Sequence, residues 1–462
     1  MPDVKLNIVS EIDPLEAVIV HTPGAEVEQM APDRAGELLY NDIIPIATVA
    51  AEHRRLVNVL NAHAEVYELT HLLARALEAP ELRVHLLDRL CAHEPARRRR
   101  DELEAMSSLD LTRAVVTGLR KRHDNLEDYL SQRTWDIPPL PNLYFMRDAG
   151  FVIGDRPAVS AMAHAVRDGE AAVNSTVFRF LTGEKMEPLF DGGSDFLRSM
   201  FCSSTTGAER SVRLEGGDVH VLRDDLLVVG ISERSSTRAV DMLAEAVVAI
   251  YERPVTLIAC LLPSTRSCIH LDMVFTRIDY DHALVHAPAM WGPGALRSVR
   301  MDLSPTHSPS VYDSGTLLEA LEGAGVDLKP VVCGGSDIVH QKREQWLSGT
   351  NAFALSPGRI VVYDCNRYTL EALDRAGYPV VEADEIVPGG GAARTAASGP
   401  SSGAAGLPRA TPESPRATRE SPKATGETAA SLPRAAIALA GAELARGGGG
   451  PRCMTMPLRR SR

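Results

Sequence analysis

Gly447-Gly448-Gly449-Gly450-Pro451-Arg452-Cys453-Met454-Thr455-Met456-Pro457-Leu458 sets a cysteine directly behind a glycine-rich run. Glycine lets backbone approach a ligand closely and adopts positive φ at no steric cost. A thiol in such a loop is expected to be presented rather than buried. Arg452 beside it would favour the thiolate, the nucleophilic form. The competing reading is a frayed chain end with an incidental cysteine, since chain ends are commonly loose. What decides between them lies upstream.

The chain has 462 residues, a hydrophobic fraction of 44% and a formal net charge of −12. That length suggests about two or three domain-sized units. The negative charge argues against nucleic acid or an acidic membrane as the main partner. The one basic run, Arg97 to Arg100, adjoins Asp101, Glu102 and Glu104 and reads as a solvated helix end. Seven cysteines form no C-x-x-C pair, and the odd count fits a reducing compartment. The first residues carry no apolar signal region. No apolar run approaches the ~20 residues that span a bilayer. A soluble cytoplasmic protein is expected.

Along the chain, Ala17 to Val20 reads as a strand, Ile46 to Leu60 as a helix and Val66 to Leu69 as a second strand. From about residue 72 the pattern becomes helical, with Leu82, Leu86, Leu87 and Leu90 on one face and Leu111, Val115 and Leu119 on another. Pro138-Pro139-Leu140-Pro141 ends it. Strand candidates then alternate with helices. They include Phe151 to Ile153, Val212 to Leu222, Leu226 to Val229, Val255 to Ala259, Met273 to Thr276 and Ile360 to Tyr363. Such alternation indicates an α/β class. The strands are short and often paired, which does not suit one long parallel sheet. Residues 389–435 nearly lack large apolar side chains and are expected to be disordered.

Four polar clusters sit at likely strand edges: Asn142 to Asp148, Glu215-Gly216-Gly217-Asp218, His270-Leu271-Asp272, and Gly349-Thr350-Asn351. On a strand, His270 and Asp272 would share one face. A histidine beside an acid makes a general base or a pair of metal ligands. The plainer alternative is a polar outer strand face, and metal ranks below acid–base use because no second tight ligand pair follows. Glu215 to Asp218 reads as a bulge or a hairpin turn. Arg147-Asp148 could equally be a surface ion pair. Taken together, a thiol, a histidine and several carboxylates suit covalent attack on a cationic, electrophilic carbon, which a guanidinium provides.

With those residues in view, the sequence resembles the arginine deiminases. The pieces that carry the likeness run in that family's order: Asn142-Leu-Tyr-Phe145-Met-Arg147-Asp148; Met162 with Arg167 and Glu170; Glu215-Gly-Gly-Asp218; Gly230-Ile-Ser-Glu233-Arg234; His270-Leu-Asp272; Gly349-Thr-Asn351; and Arg452-Cys453-Met454-Thr455-Met456-Pro457. The resemblance covers nearly all of the chain except about 389–435. It implies an α/β pentein fold, a five-bladed α/β propeller with an inserted all-helical domain. The units would be 1–71, propeller; 72–135, helical insertion; 136–388, remaining propeller; 389–435, low-complexity insertion; and 436–462, the nucleophile segment.

The resemblance also implies a function. It is hydrolysis of L-arginine to L-citrulline and ammonia, the first step of arginine catabolism by the deiminase route, with no metal and no organic cofactor. Cys453 matches the nucleophile, His270 the acid/base and Glu215 its orienting acid. Asp148 and Asp272 match the guanidinium carboxylates. Arg167 and Arg234 match groups on the substrate carboxylate, and Asn142, Phe145 and Gly448 line the same pocket. Arginine is the implied small-molecule partner, with no nucleic acid, no membrane, and a homo-oligomer, dimer or higher, as the assembly. Two departures stand out. Relatives often carry Arg five residues before the nucleophile, where Gly448 stands here, and 389–435 interrupts a connection that is short in them. The alternatives are another guanidine-modifying enzyme, an amidinotransferase or dimethylarginine hydrolase, or a catalytically weak arginine-binding protein.

Overall fold

In the computed structural model, residues 4–40, 42–92, 94–183, 186–193, 212–386 and 432–461 are described. Most of the expected 389–435 segment therefore lies outside them. Five sheets repeat one pairing pattern. In each, a central strand has an antiparallel partner on one side and a parallel partner on the other. Leu15–Val20 lies between Met456–Arg460 and Glu65–Glu68. Arg156–Val159 lies between Gly150–Ile153 and Phe190–Asp191. Leu226–Ile231 lies between Val219–Arg223 and Val255–Leu261. His282–Val285 lies between Phe275–Arg277 and Lys329–Val332. Arg359–Tyr363 lies between Phe353–Ser356 and Ala435–Leu439.

A parallel partner needs a crossover, and a helix supplies it each time. The crossover helices are Ile46–Asn61, Asp168–Thr182, Thr237–Tyr251, Leu317–Gly323 and Arg367–Arg375. The central strands are almost wholly buried, which is why runs such as Leu226–Ile231 are continuously apolar instead of alternating. The third sheet is extended by an antiparallel pair, Arg297–Leu303 and Ser310–Thr316. Between the first and second sheets run the short helices Leu69–Ala76, Pro80–Leu90, Arg100–Glu104, Ser108–Thr117 and Leu126–Leu130. Their buried leucines share one apolar core with Val173, Val177 and Phe178 of Asp168–Thr182. No helix among the described residues is long and apolar enough to cross a membrane.

Several expectations need correction. The chain end is not frayed: Met456–Arg460 is an edge strand that pairs with the first strand of the chain. The expected strand from Val212 to Leu222 is broken by a 3₁₀ turn, Gly216–Asp218, and the strand itself is Val219–Arg223. His270 and Asp272 are not on a strand, because Leu271–Met273 forms a second 3₁₀ turn. The basic run is not simply solvated. Arg99 is buried and donates to Asp136 at 2.8 Å and to the Arg120 carbonyl at 3.0 Å. Burying that charge is tolerated because its donors are matched by acceptors.

Candidate active site

The glycine loop is fastened at both ends. Met456–Arg460 anchors one end in a sheet. At the other, the Glu443 and Leu444 N–H groups at the start of Ala442–Arg446 donate to Glu52. The loop lies across a cavity of about 300 Å³. Cys453 faces this cavity but is only 4% exposed, so the expected presented thiol is in fact buried.

Three turns from different modules converge on it. Arg147 of the turn Met146–Ala149 donates its N–H to the Cys453 carbonyl at 3.0 Å and its Nε to the Thr455 carbonyl at 3.0 Å. It is therefore a buried backbone clamp, and not a surface partner for Asp148. The turn Gly216–Asp218 follows Glu215, and the turn Leu271–Met273 follows His270. Asp218 ties these two together: Oδ1 accepts from the Leu271 N–H at 2.9 Å, and Oδ2 from the Ser232 and Ser235 hydroxyls at 2.7 Å each. Burial pushes the Asp218 carboxyl up to about 6.

His270 Nε2 meets Glu215 Oε2 at 2.9 Å, and Nδ1 lies 3.6 Å from Asp148 Oδ1. Burial opposes a charged imidazole, but Asp148, Glu215 and Asp218 outweigh it and raise its pKa to about 9. Glu215 is fully buried, yet Arg234 and His270 hold its carboxyl well below the usual range. Asp148 Oδ2 accepts from Arg167 Nη1 at 2.6 Å. Arg167 turns its other face to Glu170, donating from Nε at 2.9 Å and Nη2 at 2.7 Å. Arg234 Nη1 donates to Glu215 at 3.2 Å.

Asp272 is fully buried, and its Oδ2 accepts from Arg452 Nη1 at 2.8 Å. Arg452 is itself buried and binds Glu11 on its other side. The expected thiolate-favouring pull of Arg452 on Cys453 is present but outweighed. Its charge is spent on two carboxylates. Burial, then Asp272 and Asp148, push the Cys453 thiol well above its ordinary value. Three site carboxylate oxygens, Asp148 Oδ1, Glu170 Oε1 and Asp272 Oδ1, are buried without a hydrogen bond among the described residues, and the first faces His270 Nδ1 at 3.6 Å.

All ten site residues expected from the sequence stand around this cavity. Phe145, Gly448, Arg167 and Arg234 line it, and Glu215 and Asp272 are fully buried beneath it. Asn142 lines it too, with Nδ2 donating to the Leu38 carbonyl at 2.9 Å. Three contributors had no assigned role: Glu11, Glu170 and Asn351. Asn351 and Glu170 did fall inside quoted motifs, but Glu11 left no signal. Asp148, Glu215 and His270 bring one ligand atom each within 4.8 Å of one another. Arg167 and Arg234 already pair with those carboxylates, which disfavours a metal ion there. The site combines a sulfur nucleophile, a charged imidazole and buried carboxylates, with Arg167 and Arg234 buried among them.

Comparison with known proteins bears on the family. A family profile described as arginine deiminase matches residues 36–398. The arginine deiminase of Listeria monocytogenes serotype 4a is 29% identical over 471 residues, covering 98% of each chain. That of Latilactobacillus sakei subsp. sakei is 28% identical over 478 residues, covering 98% of this chain and 97% of its own. Among solved structures, SxtG, an amidinotransferase from Microseira wollei, superposes with a TM-score of 0.49 at 13% identity, covering 99% of this chain and 98% of its own. The DDAH of Pseudomonas aeruginosa gives 0.47 at 9%, covering 96% and 99%. The family profile spans most of the chain, and its relatives carry the likeness through the segment that holds Cys453: this protein belongs to the arginine deiminase family.

Proposed function

We propose that this chain hydrolyses L-arginine to L-citrulline and ammonia through a covalent bond to Cys453. The observation that carries the reading is the pair of buried carboxylate oxygens without a hydrogen bond on Asp148 and Asp272, the two acids that act on the Cys453 thiol. A buried acceptor without a donor costs about 1–3 kcal/mol, and more when charged. A planar guanidinium supplies N–H groups to both at once. So held, its carbon faces the Cys453 sulfur, and its positive charge favours the thiolate that burial alone disfavours.

The Cys453 thiolate adds to the guanidinium carbon, forming an S–C bond. The C–N bond to one terminal nitrogen breaks, and that nitrogen leaves as ammonia with the proton of His270. His270, now neutral, takes a proton from water as the oxygen adds to the thiouronium carbon. The S–C bond then breaks and the hydroxyl proton is released to solvent, leaving the neutral urea group of citrulline and the Cys453 thiolate. Glu215 keeps His270 oriented and charged, while Arg167 and Arg234 on the cavity wall receive the substrate carboxylate. Phe145, Asn142 and Gly448 shape the remaining wall.

The five like-paired sheets support a five-bladed propeller of the pentein type around this site, with 72–135 as its helical insertion, 1–71 and 136–388 as the propeller body, and 436–462 as the nucleophile segment. Six free thiols among the described residues fit a cytoplasmic setting. A homo-oligomer, dimer or higher, is the assembly proposed for it. The deciding experiment follows citrulline with L-arginine as substrate. The native protein should produce it, and folded Cys453→Ala should not. Undiminished turnover in that variant overturns the mechanism.

A further inference from the structure

Cys453 has a neighbour whose chemistry the reading above does not use. Asn351 follows the helix Ile338–Trp346 and is 1% exposed. Its Oδ1 accepts from two backbone N–H groups of the nucleophile loop, Arg452 at 3.0 Å and Cys453 at 3.1 Å. Its Nδ2 lies 3.1 Å from the Cys453 sulfur and 3.4 Å from the Asp272 carbonyl.

An amide can be turned end for end in a structure, so its orientation needs an argument. Here the two backbone donors give it. Only an oxygen accepts from both, so Oδ1 must face the loop backbone and the N–H₂ end must face the sulfur. Both hydrogens of that end have acceptors. The Cys453 sulfur therefore stands between opposite influences. Asp272 Oδ2 at 3.6 Å is an acceptor and favours the S–H form. Asn351 Nδ2 is a donor and favours the sulfur anion.

We propose that Asn351 is a further catalytic residue, donating a hydrogen bond to the Cys453 sulfur that stabilises the thiolate as it attacks, while its carbonyl oxygen fixes the nucleophile loop. The proposal rests on the deiminase reading for its turnover consequences. Its effect on the thiol does not depend on the substrate's identity. The same amide also stabilises sulfur when the S–C bond breaks at the end of the cycle. It forms no covalent bond and moves no proton.

Two variants separate the two ends of the side chain. Asn351→Asp keeps an oxygen for both backbone N–H groups but turns an acceptor toward sulfur. Asn351→Ala removes both functions. The measurements are citrulline formation and the pH dependence of Cys453 alkylation by iodoacetamide, with the other six cysteines replaced by serine or alanine. For Asn351→Asp, kcat should fall on the order of 100-fold, the size of losing one preorganised donor. KM should change far less. The alkylation midpoint should move up by about one pH unit or more. Asn351→Ala should move the midpoint the same way, so either variant suffices if the other does not fold. A lower kcat with an unmoved midpoint would make Asn351 a scaffold for the loop only and overturn the proposal. So would an unchanged kcat. If the native protein makes no citrulline, the deiminase reading fails, and the midpoint comparison still decides the role of Asn351.

Discussion

Arg452 Nη1 and the Cys453 thiol meet the same oxygen, Asp272 Oδ2, at 2.8 and 3.6 Å. On its far side Arg452 reaches Glu11 through Nε at 3.3 Å and Nη2 at 3.2 Å, and Nη2 also donates to the Val219 carbonyl at 2.7 Å. One guanidinium thus joins the start of the chain, the 3₁₀ turn after His270 and the nucleophile loop. It holds Asp272 aimed before any substrate binds, and such preorganisation is what makes a charged site effective.

Removing that guanidinium should be felt first in stability. In Arg452→Met, Glu11 and Asp272 become buried carboxylates without their partner. Breaking a buried pair by deleting one member costs about 3–5 kcal/mol. Urea denaturation should show a loss of that order. Arg452→Lys should rescue little, because one ammonium cannot reproduce a fork that reaches two carboxylates and a carbonyl. A loss below about 1 kcal/mol for Arg452→Met would contradict the clamp, since exposed pairs contribute that little.

His270 gives a pH prediction. Its native pKa, about 9, lies above the unfolded value of ~6.5. The proton is held more tightly by the native state, so the contribution to stability is full below ~6.5 and is lost as pH rises through about 9. Asp148, Glu215 and Asp218 supply the attraction, with Arg167 and Arg234 opposing it nearby. In His270→Asn the stabilisation is absent at every pH. The difference in melting temperature between native protein and variant should therefore shrink between pH 7 and pH 10. A difference that widens over that range would reverse the sign of the argument.

Asp272→Asn should move two readouts in opposite directions. The lost charge weakens guanidinium binding, and cutting one member of a buried charge pair costs about 2–5 kcal/mol. kcat/KM should fall by at least about 30-fold, at 1.4 kcal/mol per tenfold. The same change removes a carboxylate that keeps the thiol protonated. Alkylation of Cys453 at fixed pH should become faster. A variant slow in both assays would indicate a displaced loop instead of altered electrostatics.

Legibility in the sequence followed chemistry more closely than geometry. Leu226–Ile231 and Val255–Leu261 were readable because buried parallel strands are continuous apolar runs. Arg297–Leu303 was not, since its serine, arginines and aspartate interrupt that pattern on a half-exposed sheet. Asp168–Thr182 was missed because its first third, Asp-Gly-Glu-Ala-Ala, holds no large apolar residue. Cys453, His270 and the acids were picked out because few other residue types perform such chemistry. Their mutual distances were not readable, and a strand was expected where His270 leads into a 3₁₀ turn that contains Asp272. Glu11 shows the limit. An isolated acid near the start of a chain carries no local signal, and its role exists only because Arg452, 441 residues away, folds onto it.

The segment after residue 386 can be tested by deletion. The described chain resumes at Leu432, and Arg434 pairs with Asp279 and Asp281 at 2.7 Å each before the strand Ala435–Leu439 begins. Removing 391–430 keeps that clamp and the strand that leads to the nucleophile loop. Since closure cost changes slowly with the length of a connection, citrulline formation should stay within about twofold. A tenfold loss would assign the segment a part in holding the loop.

The glycine loop supplies the last test, because two adjacent glycines are needed for different reasons. Gly448 has φ +99° and nothing within 4 Å of where a Cβ would stand. Gly448→Ala therefore meets backbone strain of roughly 1–2 kcal/mol but no collision. Gly449 shows no such positive φ, yet a Cβ there would sit against the Phe145 ring and 3.2 Å from the Cys453 Cβ. Either the ring or the nucleophile must move, and a misplacement of about 1 Å can cost roughly 100-fold in rate. Gly449→Ala should thus lose far more kcat than Gly448→Ala, even where the two melt at similar temperatures. The opposite order would mean that backbone conformation at Gly448, and not the packing of Phe145 against the loop, sets the position of sulfur.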